Sequence, residues 1–264
     1  MPNSPLQLFQ IDAFTSELFK GNPACVIPLD SWLPDDLLLK IAKENNVSET
    51  AFFIKKDDHF YLRWFTPEIE MDLCGHATLA TAYCLKNHLN FKSDSLKFDS
   101  MSGELIVKFD GDYMQMDFPH RKPVNSELPK NIMDSLSIKP REVLKSRDYV
   151  LVYDDEEQIK NIEIDKELFD KKNIDPGGVV ITSKGSNSDF VSRYFIPQCS
   201  FFEDPVTGST HCSLVPYWSE KLGKNELKSI QLSERGGEMF CIDKGDRVLI
   251  NGQAKTYFKG NVYL

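Results

Sequence analysis

Two stretches of this chain follow one pattern. FYLRWFTPEIE at 60–70 and FVSRYFIPQCS at 190–200 match at Phe60, Arg63, Phe65 and Pro67, which recur as Phe190, Arg193, Phe195 and Pro197, each 130 positions further on. Trp64 and Tyr194 add a matched aromatic. Each stretch leads through a loop to a glycine and then into an apolar segment, Gly75 towards Tyr83 and Gly208 towards Tyr217, with the second loop three residues longer. Between the copies lies a polar, proline-bearing stretch, PHRKPVNSELPKN. Four identities picked by inspection are a weak argument alone. The repeated glycine-led segment and the linker between the copies make duplication the better account. A duplicated chain is expected to fold as two similar domains related by a pseudo-two-fold, with a cleft between them. The expected domains are 1–118 and 119–264, with the last strand allowed to return to the first domain.

The hydrophobic periods point to many short strands and few helices. LQLFQIDAFTS, GNPACVIPL, TAFFIKK and FYLRWFT read as strands, followed by LKFDS, ELIVKFD and YMQMDF as a meander. Pro34-Asp35-Asp36 ahead of LLLKIAKENN is a helix start, and the Ala- and Leu-rich run from Gly75 to His88 is a helix. In the second half, short helical stretches are expected near 130–145, strands at DYVLVYD, GVVITS and DFVSRYFIP, and a helix from Gly208. Asn251-Gly252 is a hairpin signal. So many strands exclude a doubly wound sheet and favour α+β, with helices packed inside or against mostly antiparallel sheets.

Composition narrows the function classes. With 264 residues, 41% of them hydrophobic, the chain is long enough for one large core or two modest ones. A formal net charge of −9 argues against a general nucleic-acid or anionic-membrane binder. No apolar run is long enough for a transmembrane helix, and MPNSPLQLFQID has no signal-peptide pattern, so a cytoplasmic location is expected. The six cysteines, Cys25, Cys74, Cys84, Cys199, Cys212 and Cys241, form no CxxC and are read as free thiols.

The two glycines suggest chemistry. The first N–H groups of a helix lack intrahelical partners and carry partial positive charge, and glycine lets a ligand approach them. Two such starts, Gly75-His76 and Gly208-Ser209, are suited to holding a carboxylate or a developing enolate. For either turn alone, a glycine permitting a turn and a neighbour capping a helix is the simpler account; for both together, a pocket for a small anionic molecule is favoured. Glu49, in NNVSETAFF, precedes an apolar strand, where burial would raise a carboxyl pKa towards that of a general acid or base. On spacing alone, a water-facing residue at a strand start is the better account. Asp204 precedes Pro205 and is presented from an extended turn, either to orient His76 or a substrate, or as an Asx turn residue. Cys74 with His76, and His211 with Cys212, are thiol–imidazole pairs without the spacings of a metal site, so no metal is expected. Cys74 stands next to Gly75, but its counterpart next to Gly208 is Thr207, which weakens a two-thiol racemase; Cys212, inside the helix, reads as packing.

GNPACVI, NNVSETAFF, FTPEIEMDLCGHATLATAY, DFVSRYFIP and EDPVTGSTH, in this order, resemble the phenazine-biosynthesis isomerase-like (PhzF) family over nearly the whole chain. The resemblance implies two pseudo-symmetric diaminopimelate epimerase-like domains, each a curved, mostly antiparallel sheet around a central helix. It implies a homodimer and no cofactor. It implies an activity like trans-2,3-dihydro-3-hydroxyanthranilate isomerisation, with Glu49 carrying the proton and His76, Asp204 and Ser209 completing the set. Backbone amides near Gly75 and Gly208 would hold the substrate carboxylate. An amino-acid racemase or epimerase using Cys74, and a non-catalytic small-molecule binder, are the alternatives. The resemblance does not fix the substrate, because sites are grafted on folds.

Overall fold

The computed structural model describes residues 4–174, 177–199 and 201–264. The first three residues of the opening segment and Ser200, at the end of the second repeat copy, lie outside them. Contacts divide the chain into two units, Met1–Asp117 with Asn251–Leu264, and Phe118–Ile250. The first runs β1 (Leu6–Ala13), β2 (Asn22–Leu29), α1 (Asp35–Asn45), β3 (Glu49–Lys56), β4 (His59–Phe65), β5 (Glu70–Met71), α2 (Gly75–His88), β6 (Ser95–Ser100), β7 (Gly103–Asp110) and β8 (Tyr113–Pro119). The chain continues through β9 (Val124–Asn125), α3 (Lys130–Ser135), β10 (Glu142–Lys145), β11 (Tyr149–Val152), α4 (Glu156–Asn161), α5 (Lys166–Phe169), β12 (Val179–Lys184) and β13 (Phe190–Phe195). Then follow β14 (Glu203–Asp204), α6 (His211–Leu222), β15 (Glu226–Gln231), β16 (Gly237–Asp243) and β17 (Arg247–Gly252). The last strand, β18 (Ala254–Val262), pairs antiparallel with β1, Leu6 opposite Val262 and Ala13 opposite Ala254.

One pairing scheme is used twice. In the first unit β1 is antiparallel to β2, β2 parallel to β3, and β3 antiparallel to β4; β4 then takes β5 antiparallel and β6 parallel, and β6 and β7 form a hairpin. In the second unit β10, β11, β12, β13, β14, β15 and β16 repeat those relations in the same order and sense. The register aligns the copies residue by residue. Phe65 faces Glu70 as Phe195 faces Glu203, and Trp64 faces Met71 as Tyr194 faces Asp204. The repeated arginines are explained by this frame. Arg63 makes a two-pronged ion pair with Glu70 at 2.6 and 2.7 Å, and Arg193 makes the same pair with Glu203 at 2.8 Å twice. Their guanidinium carbons lie 5.1 Å over the Phe65 ring and 5.0 Å over the Phe195 ring. The identities that reveal the duplication therefore fasten a two-residue strand to its neighbour in each unit.

Each unit is built on a central helix. In α2, every residue from Gly75 to Ala82, then Cys84 and Leu85, is buried; in α6 every residue from His211 to Ser219 is buried. A helix covered all round sits inside its unit rather than on its surface. Small residues allow it: Ala77, Ala80 and Ala82 let α2 approach β1, β2, β3 and β18. By contrast α1 buries one face, Leu38, Ile41 and Ala42, and leaves the other in water. These features are those of the α+β, epimerase-like architecture.

Three local expectations are corrected. The second central helix starts at His211, not Gly208, because residues 208–213 begin with 3₁₀-type bonds, His211 N–H to the Gly208 carbonyl and Cys212 N–H to that of Ser209. Of the 130–145 segment only Lys130–Ser135 is helical, and Glu142–Lys145 is a strand paired with β11. Asn251 and Gly252 end β17 instead of forming a two-residue hairpin turn, and neither has the positive φ such a turn requires. Gly252 is there for space: a Cβ would stand 2.6 Å from Phe14 and 2.8 Å from Leu79.

Candidate active site

In the first unit, three elements bring Glu49, His76, Cys74 and Asn22 together. Glu49 opens β3 opposite Ala24 of β2, Asn22 opens β2, and His76 is the second residue of α2 with Cys74 at its N-cap. Asn22 reaches this place through Gly21, whose φ is 69° and whose Cβ would lie 2.2 Å from the Ala13 carbonyl oxygen, so only glycine fits the bend. His76 is 5% exposed. Its Nε2 lies 3.1 Å from Oε2 of Glu49, within ion-pair reach. The two are out of line for a hydrogen bond, and both atoms are buried with no hydrogen-bond partner among the described residues. On the other side of the ring, Nδ1 lies 3.3 Å from Nδ2 of Asn22 and 3.5 Å from Sγ of Cys74.

Electrostatics divides the roles. Burial pushes the Cys74 thiol up to about 11, with the Glu49 carboxylate adding to the effect, so the sulfur carries its proton at neutral pH. Burial alone would lower the His76 pKa. The neighbouring sulfur and the Glu49 carboxylate outweigh it and hold His76 well above its ordinary value. One ligand atom each from Glu49, Cys74 and His76 lie within 4.8 Å of one another. The thiol meets Nδ1 and the carboxylate meets Nε2, so one ion bound by a single ring nitrogen would have to draw one of them around the imidazole. The arrangement suits a protonated imidazole held between the two groups better than chelation.

The second unit presents Asp204, Thr207, Gly208 and Ser209. Asp204 closes β14, and its Oδ2 accepts a short hydrogen bond from the Thr207 hydroxyl. Gln231, fully buried at the end of β15, accepts from the Thr207 N–H at 2.9 Å and donates to the Asp204 carbonyl at 2.7 Å. Ser209 is half-buried in the turn before α6. Its register counterpart in the first unit is His76, and the counterpart of Asp204 is Met71. The N–H groups of Gly75 and His76 have no hydrogen-bond partner among the described residues; nor do those of Gly208, Ser209 and Thr210. Each unit thus offers a run of free donors at the head of a buried helix, the arrangement that suits an anion.

His211 and Cys212 do not extend this chemistry. The Nδ1–H of His211 donates to the Thr207 carbonyl at 3.0 Å, and Nε2 lies 2.9 Å from the Ser229 hydroxyl. Burial pushes His211 down to about 4 and the Cys212 thiol up to about 11. Sequence reasoning did not find Asn22 or Gln231. Asn22 lies inside GNPAC, where it reads as a turn signal, and Gln231 is a polar residue in a strand with no local pattern to set it apart. A cavity of about 290 Å³ at the far end of α2, beside Tyr83, Lys86 and Phe109, contains none of these residues.

A buried helix ringed by a mostly antiparallel sheet, built twice by one pairing scheme, defines the diaminopimelate epimerase-like class. Within it, the sequence profile of the phenazine biosynthesis-like (PhzC-PhzF) family matches residues 11–260. An uncharacterized isomerase of Pseudomonas aeruginosa is 47% identical over 259 residues, which cover 98% of this chain and 99% of the relative. A crystal structure of a PhzF-family phenazine biosynthesis protein from Enterococcus faecalis superposes with a TM-score of 0.94 at 43% identity, covering 99% of this chain and 100% of that one. A hydroxyproline epimerase from Agrobacterium vitis shares the fold at a TM-score of 0.59 and 9% identity, covering 99% of this chain and 93% of that one. The chain belongs to the phenazine biosynthesis-like (PhzF) family, and it is an isomerase of that family.

Proposed function

We propose that this isomerase moves a proton between two carbons of a small carboxylate-bearing substrate, without a cofactor, in the manner of trans-2,3-dihydro-3-hydroxyanthranilate isomerisation. The observation that carries the reading is the buried Glu49–His76 pair, 3.1 Å apart and unaligned, at the head of α2. Glu49 is the acid/base. Its carboxylate removes a proton from a carbon acidified by conjugation, the electron pair moves into the conjugated system, and the same proton returns to a second carbon. No atom is gained or lost. His76, which keeps its proton, supplies positive charge beside the developing anion, and the free N–H groups of Gly75 and His76 add to it. The family resemblance implies that Asp204 and Ser209 complete the catalytic set and that the N–H groups at Gly208 help to hold the substrate carboxylate.

Glu49→Gln keeps the shape of the side chain and removes its basicity. Exchange of the substrate's carbon-bound hydrogen in deuterated water is expected to fall by a factor on the order of 10² or more. Unchanged exchange would remove Glu49 as the base. A racemase reading rests on Cys74 beside His76, but a thiol pushed up to about 11 is a poor base at neutral pH, and Thr207 stands where a partner thiol would be required.

A further inference from the structure

The two units fasten the turn ahead of the central helix in the same way, with one difference. In the first unit the Ser102 hydroxyl donates to the Asp72 carbonyl at 2.8 Å. In the second unit its counterpart, Ser233, donates to the Pro205 carbonyl at 2.6 Å. That tie is duplicated and belongs to the architecture. Two residues earlier the units differ. Ser100 bonds within its own hairpin, to the Gly103 carbonyl at 2.9 Å, whereas its counterpart Gln231 turns its whole amide to the 204–207 turn. The Gln231 Oε1 accepts from the Thr207 N–H at 2.9 Å. Its Nε2 donates to the Asp204 carbonyl at 2.7 Å and lies 3.3 Å from the Thr207 hydroxyl, the group that bonds the Asp204 carboxylate. The unit with this amide is the one with an acid at the register position of Asp204; the first unit has Met71 there, and Cys74 in place of Thr207.

We propose that Gln231 is a positioning residue that fixes the Asp204 carboxylate and the Gly208–Ser209 donors for the substrate. This rests on the isomerase reading above. A single fully buried side chain holds both ends of the turn, so Asp204 and the following N–H groups move as one body. Binding the amide is favourable because both its donor and its acceptor are used, and an apolar replacement would leave the Asp204 carbonyl and the Thr207 N–H without these partners.

The test compares Gln231→Met, which keeps the length and loses all the bonds, with Ser229→Ala, a buried hydroxyl on the same strand bonded to His211 and not to the turn. Two readouts are taken on the whole chain: amide hydrogen exchange over residues 203–210, and steady-state kinetics with the substrate. The expected result for Gln231→Met is faster exchange in that segment and a fall in kcat/KM of about 10²-fold, the scale of an ångström-sized misplacement. Ser229→Ala is expected to keep kcat/KM within a few-fold at a similar loss of thermal stability. Gln231→Asn, which keeps the amide on a shorter arm, is expected to lie between wild type and Gln231→Met. Unchanged exchange in Gln231→Met overturns the clamp. Faster exchange with unchanged kcat/KM, or equal kinetic loss in Ser229→Ala, overturns the positioning role. A wild-type chain that turns over no carboxylate substrate ends the isomerase reading and the positioning role with it, whereas the exchange result alone still decides whether the clamp exists.

Discussion

His211 gives the fold a defined weakness to acid. Its ring is fully buried at the start of α6. The Thr207 carbonyl can only accept, so Nδ1 carries the hydrogen and Nε2 is the acceptor for the Ser229 hydroxyl. Phe190 lies 5.7 Å away and no charged neighbour among the described residues contributes, so a second proton would put an unpaired charge in a buried site. Burial accordingly pushes His211 from 6.5 down to about 4. The unfolded chain takes up a proton at about pH 6.5 that the folded chain refuses until about pH 4. The stability tied to neutral His211 is therefore full above about pH 6.5 and is lost as the pH falls towards 4. At about 1.4 kcal/mol per pH unit the loss is about 3 kcal/mol. The perturbation is His211→Gln, which keeps one donor and one acceptor and cannot titrate. Urea unfolding of both proteins between about pH 7.5 and pH 4.5 gives the stability difference at each pH. The difference is expected to shrink or reverse on acidification, by most of that ~3 kcal/mol. Parallel curves would refute the reasoning, since other groups titrate in both proteins. The His211 ring resonances are also expected to show no protonation until the pH approaches 4.

His76 titrates in the opposite sense: its raised pKa adds stability that is full below about pH 6.5 and fades as the pH rises through the folded value, so Glu49→Gln should flatten that alkaline loss in the same unfolding series. Gly252→Ala forces a Cβ against Phe14 and Leu79 and is expected to lower stability by about 1–3 kcal/mol, read as a lower urea midpoint. Cys74→Ser is expected to keep proton exchange within about ten-fold, because the neutral thiol is not the base; a loss as large as that of Glu49→Gln would revive the racemase reading.

The sequence carried the architecture because its strongest signal is long-range and redundant. The matched Phe-x-x-Arg-x-Phe-x-Pro stretches repeat across 130 positions, and the structure traces their arginines to the same ion pair in each unit. Finer points depended on partners far along the chain. Glycine at 208 looks like glycine at 75, yet the second helix waits for His211 because a 3₁₀ turn intervenes. Asn251-Gly252 has turn composition, but Gly252 is spent on the close approach of Phe14 and Leu79. The Glu49–His76 contact joins residues from β3 and α2, and no local period links them. Asn22 and Gln231 were hidden for the same reason: an amide reveals its purpose only through what it touches.

The pairing of β18 with β1 sets an order of assembly. The second unit is one unbroken length of chain, and its contacts can close as soon as that length has left the ribosome. The first unit cannot complete its sheet until Ala254–Val262 arrives to lie along Leu6–Ala13. Until then β1 has one bare flank, a template for a stranger's strand. Truncations that remove those final residues should therefore harm solubility more than their distance from Glu49 would suggest.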